Sequence, residues 1–210
     1  MRGQDPGAQP VRLLLADDQA LVRGALRALL EMEPDLAVVA DVGRGDQVLD
    51  AVCAHRPDVA LLDVEMPGAD GITVAQRVRD AAPWCRVLIV TTFGRAGYLR
   101  RAMAAGASGF VVKDTPARQL ADSVRRVHAG LRVVDPALAA ESLMLGDSPL
   151  TPRETDTLRA ARTGATVADI AGRVHLSEGT VRNHLSSAIG KTGVRTRAEA
   201  VRCAEENGWL

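Results

Sequence analysis

Lysine is almost missing from this chain. Of 26 basic residues only Lys113 and Lys191 are lysine; the others are arginine. An arginine bias of this size fits coding composition, and the two lysines are then either chance survivors or places where a compact ammonium does something a guanidinium does not. Cysteine is scarce as well. Cys53, Cys85 and Cys203 are odd in number and far apart, which fits neither a disulfide framework nor a zinc set and points to reduced thiols in a cytosol. There is no run of 18 apolar residues and no secretory apolar segment, so neither membrane insertion nor export is expected. Excess charge is absent too: the formal net charge is +0, and the whole chain carries no nucleic-acid signature. Its distribution is less even. Residues 11–130 hold 15 basic and 15 acidic side chains, whereas 150–210 hold 9 and 7, a net +2. A basic surface, if there is one, belongs to the C-terminal part.

What is present is an alternation of short apolar runs and amphipathic segments. Strands are predicted at 11–16, 36–41, 58–62, 86–91 and 109–112, and helices at 19–31, 46–54, 71–81, 96–105 and 116–129. The unit length of about 20–25 residues is that of a βαβ crossover. Runs such as VALL and RVLIV are apolar on both faces, as a sheet covered by helices requires. Five βα units predict a flavodoxin-like, five-stranded parallel sheet in the order 2-1-3-4-5. The first ten residues read as a disordered tail and residues 11–130 as one domain. Residues 131–149 read as a linker with a short helix from Ala137 to Leu145. From Leu150 the pattern is purely helical, with segments at 152–163, 167–173, 178–190 and 196–207, so 150–210 is a small all-α domain. Thr151 as cap and Pro152 in the first turn mark its first helix.

The strand ends carry the chemistry. VRLLLA runs into Asp17 and Asp18, VALL into Asp63, RVLIV into Thr91 and GFVV into Lys113. Ligands of open parallel sheets bind at the carboxyl ends of the strands, so these residues are expected to converge. Three carboxylates in one pocket repel each other unless a cation lies among them. Asp17, Asp18 and Asp63 suit an octahedral Mg²⁺ that keeps several waters. Asp63, ending the central third strand, is the candidate nucleophile for an acyl phosphate. Lys113 would balance phosphoryl charge, and the Thr91 hydroxyl would hydrogen-bond a phosphoryl oxygen. Gly43-Arg44-Gly45 is a plain βα turn, since Val48 stands where a dinucleotide loop needs its third glycine.

The blocks LADDQALVRGAL, LLDVEMPGADG, IVTTFGRAGY and AGASGFVVKD resemble the receiver domain of two-component response regulators over about residues 11–130. The resemblance implies that Asp63 accepts phosphate from a histidine kinase. It implies that the backbone carbonyl of Glu65 joins Asp17, Asp18 and Asp63 as a Mg²⁺ ligand, and that Thr91 and Phe110 form the switch pair. From its position alone Phe110 reads equally well as plain core. Asp114 stands where many members carry proline.

In the helical part, Val167, Ile170, Ala171 and Val174 form one apolar face. Leu176 and Ser177 make a turn, and Ser177 caps a second helix whose inner face is Val181, Leu185, Ala188 and Ile189. Thr180, Arg182, Asn183, Ser186 and Ser187 are left outward, types suited to base edges and phosphates, so the pair reads as a helix-turn-helix for the DNA major groove. Glu178 reads as a helix-start residue. The stretch from LTPRETDTLRAA to VRTRAEAV resembles the four-helix LuxR-type DNA-binding domain, and the two halves together resemble the NarL/FixJ family, with blocks such as VEMPG and GTVRNHLS similar to its DesR-like branch. The resemblance implies base contacts from Arg182, Asn183 and Ser186, and phosphate contacts from Thr180 and Lys191, with Arg195 or Arg197 as a further candidate. Ser186 stands where some members have a second basic residue.

The expectation is therefore a cytoplasmic, non-enzymatic regulator that binds promoter DNA under phosphorylation control. Phosphorylation would favour a homodimer through helices 19–31 and 116–129, with Leu21, Leu26, Leu120 and Val124 as interface or core residues. Dimerisation would place two reading helices on paired half-sites. A change from nearly off to nearly on needs roughly 5.5 kcal/mol. Two alternatives stand beside this reading: a receiver-like regulator controlled by a ligand or partner, and a phosphatase of the haloacid dehalogenase type. The latter class shows Asp-x-Asp after its first strand, where this chain has adjacent aspartates.

Overall fold

The computed structural model describes residues 9–92, 94–144 and 148–210. Most of the expected N-terminal tail, and Leu145 at the end of the expected linker helix, lie outside the described residues. The chain forms two compact units, Met1–Gly94 with Arg101–Pro136, and Arg95–Arg100 with Ala137–Leu210.

Residues 11–134 alternate strand and helix: β1 (Val11–Ala16), α1 (Ala20–Glu31), β2 (Leu36–Val42), a 3₁₀ turn (Gly45–Gln47), α2 (Val48–His55), β3 (Val59–Leu62), α3 (Gly71–Ala81), β4 (Arg86–Thr91), α4 (Ala96–Ala104), β5 (Gly109–Val112), α5 (Ala117–His128) and β6 (Val133–Val134). All pairings are parallel, and the sheet order is β2-β1-β3-β4-β5-β6. The expected order holds, with one strand more than expected. β6 is two residues long, pairs with Gly109 and Phe110 of β5, and falls within the stretch read as linker.

Successive strand residues point to opposite faces, and both faces are buried. Leu13, Leu15, Val59, Leu61, Leu88 and Val90 pack with Leu30 of α1 and Leu120, Val124 and Val127 of α5. On the other face Leu14, Leu62 and Ile89 are fully buried, as are Val48 and Val52 of α2 and Val78 of α3. This settles the four leucine and valine positions. Leu120 and Val124 are core and Leu26 packs against that core, whereas Leu21 is 87% exposed. α5 is tied down at a distance by Arg125, whose guanidinium bridges Glu33 and Asp35 before β2, and also Asp122.

The second unit holds α6 (Pro136–Met144), α7 (Pro152–Ala161), α8 (Val167–Val174), α9 (Glu178–Thr192) and α10 (Arg197–Glu206). Its starts are chemically explicit. Thr151, Thr166 and Thr196 each form a capping box, with Glu154, Asp169 and Glu199 respectively, which satisfies backbone donors that a helix start otherwise leaves unpaired. Leu158, Ile170, Val181, Ala188, Ala200 and Ala204 meet in one core. His175 ends α8 in the left-handed region, with φ 53°, and turns the chain into Ser177, whose hydroxyl accepts from Thr180 N and starts α9.

Candidate functional site

The sheet's own hydrogen-bond ladder places the acidic residues. Asp63 N donates to Ala16 O at 2.8 Å, Asp17 N to Val42 O at 3.2 Å and Lys113 N to Thr91 O at 2.7 Å. Each site residue thus prolongs the pairing of the strand that precedes it. Gly71 lets α3 start directly behind the nucleophile candidate: a Cβ there would fall 1.9 Å from the Asp63 carbonyl oxygen. Asp70 caps α3, accepting from Ile72 N and Thr73 N.

The expected convergence is real for the charged residues. Carboxylate oxygens of Asp17, Asp18 and Asp63 lie within 4.8 Å of one another. Asp17 and Asp63 are buried and Asp18 is exposed. The Lys113 ammonium stands 2.7 Å from Asp17 Oδ2 and 2.8 Å from Asp63 Oδ2. Only the approach to Asp63 is aligned as a hydrogen bond. Toward Asp17 it is a charge contact, and the buried Asp17 Oδ2 accepts from no aligned donor. Asp17 Oδ1 accepts from Gln19 N, and Arg23 of α1 donates to the Asp17 carbonyl and to Asp41.

Burial pushes the Asp63 carboxyl above the ordinary carboxylate range, with the nearby Asp17 adding to that and Lys113 opposing it. Lys113 moves up: burial opposes its charge, but the hydrogen bond to Asp63 and the negative charges of Asp17 and Asp63 outweigh burial. Two carboxylates share one cation, and the ammonium stays charged between them. Three carboxylates with one ammonium leave negative charge uncompensated, and an orphaned buried carboxylate oxygen faces it. Those are features that a hard divalent cation fits.

Thr91 is buried at the end of β4, and Phe110, wholly buried, lies opposite Ile89 in β5. By strand alternation Thr91 and Phe110 point to the same face of the sheet. Glu65 is exposed in the bend between Asp63 and Asp70. The peptide after Lys113, like the others among the described residues, is trans.

On α9 the outward residues are as expected: Arg182, Asn183 and Ser186 are exposed. Thr180 is half-buried, its hydroxyl 2.8 Å from Ser177 Oγ. Lys191 and Ser187 have a partner that sequence reasoning missed. Lys191 Nζ and Ser187 Oγ lie 2.8 Å and 2.6 Å from the two carboxylate oxygens of Glu154 in α7. The capping-box spacing Thr151–Glu154 was legible, but nothing local announces a bond 33 or 37 residues on. A second missed pair, Glu178 with Arg182, has the i, i+4 spacing that helices favour. A groove of about 450 Å³ lined by Arg153, Asp156, Arg159, Ala160, Arg173, Val174 and His175 includes none of the carboxylate cluster.

Comparison with known proteins bears on both units. Residues 13–125 match the response regulator receiver domain, and residues 148–204 match the luxR family of bacterial regulatory proteins. The uncharacterized transcriptional regulatory protein YvfU of Bacillus subtilis is 41% identical over 200 residues, covering 95% of this chain and 100% of that protein. The transcriptional regulatory protein DesR of the same organism is 38% identical, covering 95% and 99%. Among solved structures, the response regulator ChrA of a heme-sensing two-component system is 31% identical, with TM-score 0.57, covering 97% of this chain and 100% of that one.

Proposed function

Because this chain belongs to the response-regulator family, with a receiver domain followed by a luxR-type DNA-binding domain, we propose that Asp63 is the phosphoacceptor through which its DNA binding is controlled. At the coarser level it is a transcriptional regulator that binds DNA under phosphorylation control. The residue-level reading is ours. Its carrying observation is the cluster in which Asp17, Asp18 and Asp63 approach within 4.8 Å while one ammonium reaches two of them.

In the transfer, an Asp63 carboxylate oxygen attacks the phosphorus of a phosphohistidine on a partner kinase. The P–N bond breaks, the O–P bond forms, and the imidazole leaves with its electron pair and takes a proton. Lys113 is already hydrogen-bonded to the attacking carboxylate and stays beside the product, offsetting its added charge. Asp17, Asp18, Asp63 and the Glu65 carbonyl are the residues that would hold Mg²⁺, which supplies further charge neutralisation when bound. Thr91 then hydrogen-bonds the phosphoryl group, and Phe110, on the same sheet face, repacks with it.

Downstream, α1 is the surface suited to a second copy. Leu21, at 87% exposure, and Met32, at 77%, flank Ala25, Ala28 and Leu29, all exposed on one stripe. Dimerisation sets two α9 helices on paired half-sites, with Arg182, Asn183 and Ser186 at base edges and Thr180 and Lys191 at phosphates. Two members of this set have acidic protein partners that compete with DNA, Lys191 with Glu154 and Arg182 with Glu178. No described helix is long and apolar enough to cross a membrane, and the three cysteines are free thiols. We place the protein in the cytoplasm, with a regulatory rather than catalytic role, on the strength of its family.

The test is phosphorylation of wild type and Asp63→Asn by a labelled small phosphodonor with Mg²⁺. Wild type takes up acid-stable, base-labile label and the variant takes up none. Equal uptake by both removes Asp63 from the role.

A further inference from the structure

We propose that Glu178 is a specificity-determining residue of the DNA-reading helix, which buttresses Arg182 for guanine and holds down its attraction to DNA of other sequence. This rests on the DNA-binding reading above. Glu178 is the first residue of α9 and Arg182 follows one turn later. Arg182 Nη2 donates to Glu178 Oε2 at 2.7 Å, with the two side chains 63% and 49% exposed. An exposed i, i+4 pair contributes little to stability, so the consequence of this contact lies in what α9 meets.

Three observations point the same way. First, the pair sits on the outward face that also carries Asn183 and Ser186. Arg182 is the one cation of that reading set apart from Lys191, which Glu154 engages. With Glu178 beside it, the N-terminal half of the reading face is close to neutral. Second, Gly179 leaves the neighbouring position bare: a Cβ there would meet only Ser177 Oγ, at 3.8 Å. No side chain from Gly179 can shield the carboxylate from a duplex. Third, the remaining outward groups are uncharged hydroxyls and an amide, which gain from base edges and little from phosphate charge alone.

The physical consequence is a trade. Non-specific affinity grows with each cation placed among phosphates, and a carboxylate next to the cation subtracts from it. Guanine is the exception. A guanidinium has five N–H donors in a fixed fork. One donor held by Glu178 fixes the plane and leaves the others for the two adjacent acceptors O6 and N7. Adenine keeps the N7 acceptor but presents an N6–H₂ donor where guanine has O6, so one arm of the fork is left unpaired there. Discrimination of this kind combines a favourable contact with a built-in penalty elsewhere.

The rival reading is that Glu178 is only a favourable charge at a helix start, which any acid supplies. Glu178→Gln and Glu178→Asp separate the two. Aspartate keeps the charge but is one methylene shorter and falls short of Arg182. Full-length protein activated with beryllofluoride and Mg²⁺ would first select a duplex from a randomised pool. The affinities of wild type and both variants would then be measured for that duplex and for its scrambled counterpart across a salt series. Both variants are expected to lose about ten-fold or more in the ratio of selected to scrambled affinity. Glu178→Gln alone should bind the scrambled duplex more tightly, with a salt slope steeper by about one. Wild-type discrimination by Glu178→Asp, or equal loss on both duplexes in Glu178→Gln, overturns the proposal while leaving DNA binding intact. Failure of wild type to select any motif overturns the DNA-reading claim and this proposal together.

Discussion

Glu154→Gln removes the charge that ties α7 to the reading helix α9. The carboxylate accepts from Thr151 N at 2.6 Å, Ser187 Oγ at 2.6 Å and Lys191 Nζ at 2.8 Å. Burial works against its ionisation, but the hydrogen bonds from Lys191, Ser187 and Thr151 outweigh burial and hold the carboxyl down to about 2, from an ordinary 4.5. At 1.36 kcal/mol per pK unit that displacement corresponds to about 3 kcal/mol. Glu154 is itself buried, but its partner Lys191 is 35% exposed, so solvent screening lowers the expected loss to about 1.5–2 kcal/mol. The sign follows from a folded-state value below the unfolded one. The stabilisation is fully present above pH 4.5 and is lost as pH falls toward about 2. Urea unfolding of wild type and Glu154→Gln over that range measures it, because the other carboxylates titrate alike in both chains. Trp209 packs against the helical core, so its fluorescence in a Trp84→Phe background reports this domain. A gap of about 1.5–2 kcal/mol at neutral pH that closes near pH 2 is expected. A gap that is absent, or that stays constant with pH, refutes the reasoning.

Three other outcomes are expected. Leu21→Glu should leave urea stability within about 0.5 kcal/mol of wild type yet abolish the beryllofluoride-induced dimer in sedimentation. Val124→Ala, at a fully buried position, should instead cost about 1–3 kcal/mol, and the reverse pattern would exchange interface and core. Lys113→Met should strip the cation from Asp17 and Asp63. It should lower the thermal midpoint without Mg²⁺ and increase the gain on adding Mg²⁺, and an unchanged Mg²⁺ response would count against the cluster as a cation site. Lys191→Gln in a Glu154→Gln background should reduce the salt slope of DNA binding by about one if Lys191 contacts a phosphate. No change would assign Lys191 wholly to Glu154.

Much of the architecture was legible because its signals are local. VALL and RVLIV are apolar on both faces and sit in the sheet centre as β3 and β4. Asp63 and Lys113 could be named because each ends a strand, and parallel topology sends strand ends to one edge. β6 was missed because two residues, Val133 and Val134, carry no pattern; pairing with Gly109 and Phe110 alone defines them. Leu21 and Val124 looked equivalent because both lie on amphipathic helices. Which stripe faces the sheet is decided by packing: Val124 meets Val127 and Leu120 in the core, and Leu21 meets none of them. Glu154 and Arg125 were silent for a different reason. Their partners come from elements far along the chain, and only the closed fold brings Lys191 or Asp35 to them.

The central claim is that phosphate on Asp63 governs DNA affinity. The most direct measurement is the affinity of the full chain for its selected duplex before and after treatment with acetyl phosphate and Mg²⁺, with Asp63→Asn alongside. The account predicts that wild type tightens on treatment and that Asp63→Asn stays at the untreated value. Equal affinity in all four samples, or equal tightening in the variant, would contradict it.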